Sequence, residues 1–404
     1  MGSHRVLLTA GSNAKGQLGI GSYDDAHTFT PCQFAECEPN QLPDPTSVTV
    51  TQIACGANHT VLLLEHLDGS TTLWGAGDGR RGQLGPEYRS EDPDSTTFHK
   101  LNVLPYYVSR GYTFTRITAA WETTYIVLSH PENPDVLLSM GSNDFGALGV
   151  GEGAHGGEPH LVDFGHVFPG DEVCIRSLYA GPRHVVVQLV TTGRRTALVG
   201  WGASRHGQLG DHGGARCVPR PTPLPIDIHE DPMVSCGLGN QHTVVLHVSG
   251  RISALGSNKQ GQIPSIGHQW RLCGLGCTWN GTYMQVIDGD KHVLLSIGNN
   301  AQGQLGHTIK STEAGTIDFP DDSAVSSFVC GSEHVLVAVQ GSSPQGTSVL
   351  GWGWNEHGNM GLGSLGNIAI PTQLWPREVE TYSKYPKRVI GIWAGCATSW
   401  LLVE

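Results

Sequence analysis

A nine-residue glycine motif recurs seven times along this chain, and it limits the possible folds more than any other feature. The first copy, GSNAKGQLG, starts at Gly11, and the related copies start at Gly77, Gly141, Gly202, Gly256, Gly298 and Gly353. A second glycine follows five residues later in every copy, at Gly16, Gly82, Gly146, Gly207, Gly261, Gly303 and Gly358. These second glycines are 42 to 66 residues apart, the range of a supersecondary unit repeated with variable connections.

A second motif, Gly-x-x-His followed by an apolar run, alternates with the first. It is complete around four histidines, His59, His184, His242 and His334. Three related copies carry Thr123, Gly281 and Thr398 at the histidine position. From this position to the next second glycine is 19 to 24 residues, so each unit has a nearly fixed internal length.

Each unit predicts short buried strands joined by tight turns. Apolar runs such as VVVQLV after His184 are bounded by turn residues such as TTG, and glycine accounts for 55 of 404 residues. No long segment shows the apolar period of a helix. Seven such units predict an all-β chain that forms one seven-bladed β-propeller domain over residues 1–404.

The two ends of the chain each hold half a unit. The first glycine motif has no Gly-x-x-His motif before it, and the last Gly-x-x-His copy, ending CATSWLLVE, has no glycine motif after it. Residues 389–404 and 5–20 together make one complete unit. We therefore expect the N- and C-terminal strands to share a blade that closes the ring.

The ordered series G-x-x-H-T, strand, D-G, strand, W-G and G-Q-L-G resembles the repeat of the regulator of chromosome condensation family over essentially the whole chain. Within that family the chain is most similar to the alpha-tubulin suppressor subgroup. This resemblance implies a non-enzymatic scaffold that pairs with a small CSL-type zinc-ribbon protein and serves Elongator-dependent tRNA wobble-uridine modification and diphthamide synthesis. It also implies an alternative, because the founding member of the family is a guanine nucleotide exchange factor for the small GTPase Ran.

The resemblance also places partner-binding residues in the Gly-x-x-His loops. Acidic residues there matter in the exchange-factor branch, and here only Glu122 and Glu333 are acidic. Trp121 and Trp279 hold equivalent loop positions, where they either anchor a partner or plug the channel. The candidate partner-binding residues are Asn58, Trp121, Glu122, Arg183, Asn240, Gln241, Trp279, Asn280 and Glu333.

The repeat residues themselves predict structure rather than chemistry. We expect the second glycines to supply turns with positive φ, and we expect the four histidines to hydrogen-bond within their blades, since a ring holds them too far apart to share a metal ion. The glycine motif also lacks the Lys-Ser/Thr pair of a phosphate-binding loop. Cys55, Cys236 and Cys330 fit small buried residues, and we predict no catalytic set, metal or cofactor.

The formal net charge of −12 argues against direct binding of nucleic acid or of an anionic membrane. The chain shows no pattern of a signal peptide and no membrane-spanning apolar run, so we expect it in the cytoplasm, with the nucleus as a second compartment. The long connections 86–113 and 364–388 are either docking segments or solvated connectors.

Overall fold

Seven antiparallel sheets follow one another along the chain and form a ring. The computed structural model describes residues 5–44, 47–88, 96–265, 270–289, 291–308, 314–319, 324–340, 347–377, 385 and 388–404. The innermost strand of each sheet contacts the innermost strands of both neighbouring sheets, and the last sheet contacts the first. The predicted all-β, seven-bladed propeller is confirmed.

The strands of the described residues divide among the seven blades in chain order. Blade 1 contains β1 (Val6–Gly11) and β2 (Ala26–Pro31). Blade 2 contains β3 (Val48–Cys55), β4 (His59–His66), β5 (Thr71–Gly77) and β6 (His99–Lys100). Blade 3 contains β7 (Thr113–Ala119), β8 (Thr123–His130), β9 (Asn133–Gly141) and β10 (His160–Leu161). Blade 4 contains β11 (Val173–Ala180), β12 (His184–Thr191), β13 (Thr196–Ala203) and β14 (Cys217–Pro223). Blade 5 contains β15 (Met233–Leu238), β16 (His242–His247) and β17 (Ile252–Gly256). Blade 6 contains β18 (Arg271–Cys277), β19 (Gly281–Asp288), β20 (Lys291–Gly298) and β21 (Gly315–Thr316). Blade 7 contains β22 (Ala324–Cys330), β23 (His334–Gln340), β24 (Thr347–Gly353) and β25 (Ile368–Trp375). A one-turn helix α1 (Pro105–Val108) and a 3-10 turn (Asp144–Gly146) lie in the connections.

The chain returns to blade 1 with β26 (Val389–Ala394) and β27 (Thr398–Val403), and the sheet order is β2-β1-β27-β26. Six residue pairs join β1 to β27, from Val6 opposite Val403 to Gly11 opposite Thr398. The Glu404 carboxylate accepts hydrogen bonds from Arg5 (3.2 Å) and Arg388 (2.7 Å). The expectation that both ends share the closing blade is confirmed.

The apolar core lies between neighbouring blades. The second strand of a blade is buried on both faces, as in β4, whose first six residues are buried. The apolar residue two positions after the second glycine fills the same core. Leu18, Leu84, Leu148, Leu209 and Leu305 are at most 6 % exposed.

The glycines of the repeat are required by backbone conformation. The second glycines have φ between +72° and +83°, as predicted for their turns. The first glycines have φ between +99° and +127°, and a Cβ there would collide with the carbonyl oxygen of the residue that precedes the histidine position. The glycine motif is therefore a structural turn.

A recurrent asparagine, which the sequence analysis does not single out, stabilises the same turn. Its side-chain oxygen accepts the backbone N–H of the residue five positions later, at 2.8–3.1 Å. This asparagine is Asn13, Asn143, Asn258, Asn300 and Asn355 in five of the seven copies. The sequence did contain a signal for this role, because the asparagine stands two residues after the first glycine in all five copies.

Candidate functional site

The Gly-x-x-His loops and the glycine turns lie on one face of the propeller, which we call the loop face. In each blade the residue after the first glycine donates its N–H to the carbonyl of the residue before the histidine position. Examples are Asp78 to Asn58 (2.8 Å) and Ala203 to Arg183 (2.7 Å). Loop and turn are thereby fixed to each other, so their side chains project from a rigid surface.

A belt of backbone hydrogen bonds between blades runs around the channel mouth. Its members are Ala57 N–H to Trp121 O, Trp121 N–H to Pro182 O, Asn240 N–H to Trp279 O, Trp279 N–H to Ser332 O and Ser332 N–H to Gly395 O, at 2.8–3.0 Å. Pro182 has no N–H and donates none. The two candidate tryptophans belong to this belt, so their backbone positions are set by both neighbouring blades.

Trp121 and Trp279 contact each other across the channel mouth. They come from blades 3 and 6, and their ring centroids are 5.7 Å apart with the planes at 45°. Trp121 is 37 % exposed and Trp279 is partly buried. Both rings line a cavity of about 140 Å³ whose other walls are small residues such as Gly56 and Ser332. The pair therefore covers the channel mouth and also presents aromatic surface to solvent, and its role as an anchor for a partner stays a prediction.

Arg183 extends this aromatic surface toward blade 3. Its guanidinium lies 5.9 Å from the Trp121 ring centroid and 4.8 Å from that of Phe145. These side chains line a groove of about 320 Å³ together with Arg81, Glu122 and other residues. Phe145 is 41 % exposed and has φ +59°, a conformation that is rare for a bulky residue.

Phe145 was missed by the sequence analysis, although a signal was present. It precedes the second glycine, where the other copies carry Lys, Arg, His or Gln. An aligned set of turns would have shown the apolar ring at this position.

Glu333 and Asn280 bind each other at the junction of blades 6 and 7. The Asn280 side chain donates to one oxygen of Glu333 (2.6 Å), and Gln304 donates to the other (2.9 Å). Burial raises the pKa of Glu333, and the two hydrogen bonds partly oppose this rise. Two candidate partner-binding side chains are thus engaged within the chain, while Asn58, Asn240 and Gln241 are partly buried in their loops.

The repeat histidines form hydrogen bonds between blades. His59 Nε2 lies 2.9 Å from Thr124 Oγ1 of the next blade, and that hydroxyl donates to the carbonyl of Gln83 (2.7 Å). Because the threonine proton is used in this way, His59 must donate from Nε2. Two further relays have the same form, His184–Thr243–Gln208 and His242–Thr282–Gln262, and His334 contacts Ser399 Oγ at 3.1 Å.

The prediction that these histidines hydrogen-bond within their blades is therefore wrong. The histidine begins the second strand of its blade, and its ring reaches the equivalent strand of the next blade. Burial lowers the pKa to about 4 for His59, His242 and His334 and to about 3 for His184. These buried histidines are therefore neutral near pH 7.

Two blades that lack the histidine use a different interblade bond. In blade 3, Tyr125 donates to the carbonyl of Ala147 (2.6 Å), and Trp201 of blade 4 donates to the same oxygen (2.8 Å). Tyr283 of blade 6 and Trp352 of blade 7 share the carbonyl of Gln304 in the same way. These two divergent blades therefore form hydrogen bonds at the junction with the next blade through different side chains.

The channel thiols have little nucleophilic character. Burial raises the pKa of Cys55 to about 11 and also raises the pKa of Cys236 and of Cys330 well above the usual value of a thiol. The described part of the chain holds no group of three or more His, Cys, Asp or Glu that could bind a metal ion, and no helix long and apolar enough to cross a membrane. Within the two long connections, residues 89–95, 378–384 and 386–387 lie outside the described residues.

The fold and the repeat define a seven-bladed β-propeller. The family profile described as the regulator of chromosome condensation (RCC1) repeat matches residues 6–63 and 348–402, which include the closing blade.

Three similar proteins extend this comparison. An RCC1 repeat-containing protein of Schizosaccharomyces pombe is 26% identical over 408 residues, with 99% of each chain covered. The secretion-regulating guanine nucleotide exchange factor of Mus musculus is 25% identical over 437 residues, covering 98% of this chain and 82% of the relative. The crystal structure of Prp20p from Saccharomyces cerevisiae, described with its binding properties to Gsp1p and histones, has a TM-score of 0.72 at 15% identity, covering 100% of this chain and 92% of that one.

Proposed function

We propose that this propeller is a non-enzymatic protein-binding scaffold whose partner docks on the loop face. The observation that carries the proposal is the aromatic surface at the channel mouth, formed by Trp121 and Trp279 and extended by Arg183 and Phe145. Trp and Arg are enriched among the residues that dominate binding energy, and rigid placement lowers the entropic cost of association. The backbone belt supplies that rigidity.

The partner class that we propose is a small CSL-type zinc-ribbon protein. Through it the scaffold would serve Elongator-dependent tRNA wobble-uridine modification and diphthamide synthesis. The support is the subgroup resemblance together with the lack of Asp in the Gly-x-x-His loops, whose two acidic residues are Glu122 and Glu333. Of these two, Glu333 is already bonded to Asn280 and Gln304. We place the protein in the cytoplasm, with the nucleus as a second compartment.

Affinity capture tests the identity of the partner. The full chain is expressed with an affinity tag in cells that contain the zinc-ribbon protein, and the captured proteins are quantified by mass spectrometry. We expect one small zinc-ribbon protein at a stoichiometry near one. Capture of a stoichiometric small GTPase without a zinc-ribbon protein would contradict the proposal.

The second candidate function is guanine nucleotide exchange on a Ran-like small GTPase. The observation that favours it is the similarity to a mouse relative that is named as an exchange factor. Release of fluorescently labelled GDP from the GTPase distinguishes the candidates. A scaffold leaves the release rate unchanged at micromolar propeller concentration, whereas a tenfold or greater acceleration would establish exchange.

A further inference from the structure

Blade 5 has three strands among the described residues, whereas each of the other six blades has four. Its outermost strand is β17, and all five of its residues are only partly buried. The equivalent third strand of blade 4, β13, has its last six residues buried, and the last five residues of β24 in blade 7 are buried. Among the described residues, the outer edge of β17 therefore pairs with no further strand, whereas the outer edges of β13 and β24 do.

The other blades show what normally occupies this edge. In five of the other blades, the residue four positions before the first glycine has a carbonyl that accepts a backbone N–H. The N–H belongs to the outer strand of the same blade or to the residue that follows this strand. The pairs are Leu7 with Cys32, Leu73 with Leu101, Leu137 with Val162, Leu198 with Leu224 and Leu294 with Ile317, at 2.8–3.0 Å. The equivalent carbonyl in blade 5 belongs to Ile252, and no described N–H reaches it. Its lone pairs point away from β16, toward the position of a fourth strand.

The apolar core beside this edge is correspondingly small. The apolar cluster against which β17 packs has four buried residues, Met284, Val286, Leu295 and Ile297, and Ile252, Trp270 and Leu272 pack against it only partly buried. The core between blades 1 and 2 contains fifteen buried residues, including Phe98 beside the outer strand of blade 2. An added strand with an apolar side chain would cover surface that blade 5 leaves partly open.

We propose that the edge of β17 binds an extended segment of a partner protein as a fourth, antiparallel strand. The chain's own outer strands define the sequence that fits. The residues opposite the position of Ala254 are Thr30, His99, His160, Thr222, Gly315 and Thr372. Two residues later stands a buried apolar residue, Cys32, Leu101, Val162, Leu224, Ile317 or Leu374. The segment is therefore Thr-x-Leu or His-x-Leu, with the leucine N–H donated to the carbonyl of Ile252.

This register favours a partner segment over a second copy of β17. If two copies paired edge to edge with Ala254 opposite Ala254, the residue two positions later would be Gly256. Glycine offers no side chain for the apolar position that the other six blades fill. The edge also lies on the outer rim of blade 5, so this inference does not depend on the function proposed for the loop face.

A synthetic peptide with the sequence of residues 368–376, IAIPTQLWP, is a direct probe because it contains Thr-Gln-Leu in the required register. Binding to the full chain is measured by titration with a fluorescently labelled peptide. The matched control is the same peptide with an N-methylated leucine, which lacks the N–H donated to Ile252. We expect the control to bind at least tenfold more weakly, because one hydrogen bond and the close approach of the strands are lost.

Ala254→Pro tests the protein side of the contact. The N–H of Ala254 faces away from β16, and proline is tolerated on an edge strand, so the blade should fold while the edge no longer accepts a strand. We expect peptide binding to be lost in Ala254→Pro and kept in Val248→Ser, a control at an exposed position of the same blade.

Hydrogen exchange and light scattering complete the test. In the free chain, the amides of Ile252 and Ala254 should exchange faster than those of β16, and the peptide should slow them. The proposal is overturned if these amides are already protected in the free chain, or if the N-methylated peptide binds equally well. A dimer that Ala254→Pro converts to a monomer would also overturn it, because a second copy would then be the occupant.

Discussion

Replacing Thr243 by valine should destabilise the propeller by removing one interblade relay. Thr243 and His184 are fully buried, and the carbonyl that accepts the threonine proton belongs to Gln208, which is also buried. Valine keeps the shape of threonine but leaves the His184 N–H and the Gln208 carbonyl without partners. Each buried polar group left in this way costs about 1–3 kcal/mol, so we expect the free energy of unfolding to fall by about 3 kcal/mol.

Thr243→Ser is the matched control because serine occupies the same place in blade 1, where Ser399 contacts His334. It keeps the hydroxyl and removes one buried methyl, which should cost about 1 kcal/mol. Equilibrium urea unfolding followed by circular dichroism measures both variants against the wild type. If the free energy of unfolding of Thr243→Val lies within about 0.5 kcal/mol of the wild type, or is no lower than that of Thr243→Ser, the relay does not stabilise the blade junctions and the reasoning is refuted.

Three further predictions concern the ring as a whole. Burial holds the pKa of the repeat histidines near 4 or below in the folded chain, against 6.5 in the unfolded chain. The free energy of unfolding should therefore be constant above pH 6.5 and fall as the pH decreases toward 4, by about 2 kcal/mol per histidine at pH 5. Equal urea midpoints at pH 7 and pH 5 would contradict this. A chain lacking residues 1–20 loses β1 from the closing blade and should not fold cooperatively, so a thermal transition equal to that of the full chain would exclude the clasp. Glu404→Gln weakens contacts with Arg5 and Arg388 that are partly exposed, and thermal unfolding should show a loss below about 1 kcal/mol that shrinks at high salt; a larger or salt-independent loss would contradict this account.

The number of blades and the closure of the ring could be predicted from sequence because every blade needs the same local turn. A positive φ at each second glycine and the collision that a side chain would cause at each first glycine restrict both positions to glycine, so the motif repeats visibly. Half-units at the two ends then require a shared blade. The local sequence determines the backbone conformation at these turns, and this is why the predictions made from it were confirmed.

Contacts between blades were not predictable in the same way. The relay of His59 joins it to Thr124, 65 residues away, and the Trp121–Trp279 contact spans three blades. Such pairs depend on how the sheets are packed around the ring, which the periodicity alone does not specify. The error on the histidines arose here, because a hydrogen bond was predicted but its direction, toward the next blade, was not.

Blade 5, which has three strands in the described part of the chain, did leave a signal in the sequence. The shortest spacing between second glycines, 42 residues, separates Gly261 from Gly303. Only a few residues connect the end of that glycine motif to β18, which begins at Arg271, and this leaves little chain for an outer strand. The spacing was noted as variation in the connections, but its meaning required the observed sheet order.

Capture of the partner by wild-type chain and by the double variant Trp121→Ala/Trp279→Ala tests the central claim most directly. The variant should fold, because both tryptophans contribute to the interblade belt through their backbones and both side chains are partly solvent-accessible. Leu67→Ser, at an 83 % exposed position of the hairpin on the opposite face, is the control. We expect the wild type and Leu67→Ser to retain one small zinc-ribbon protein and the double variant to lose it at least tenfold, whereas equal capture by all three chains would show that the loop face is not the docking surface.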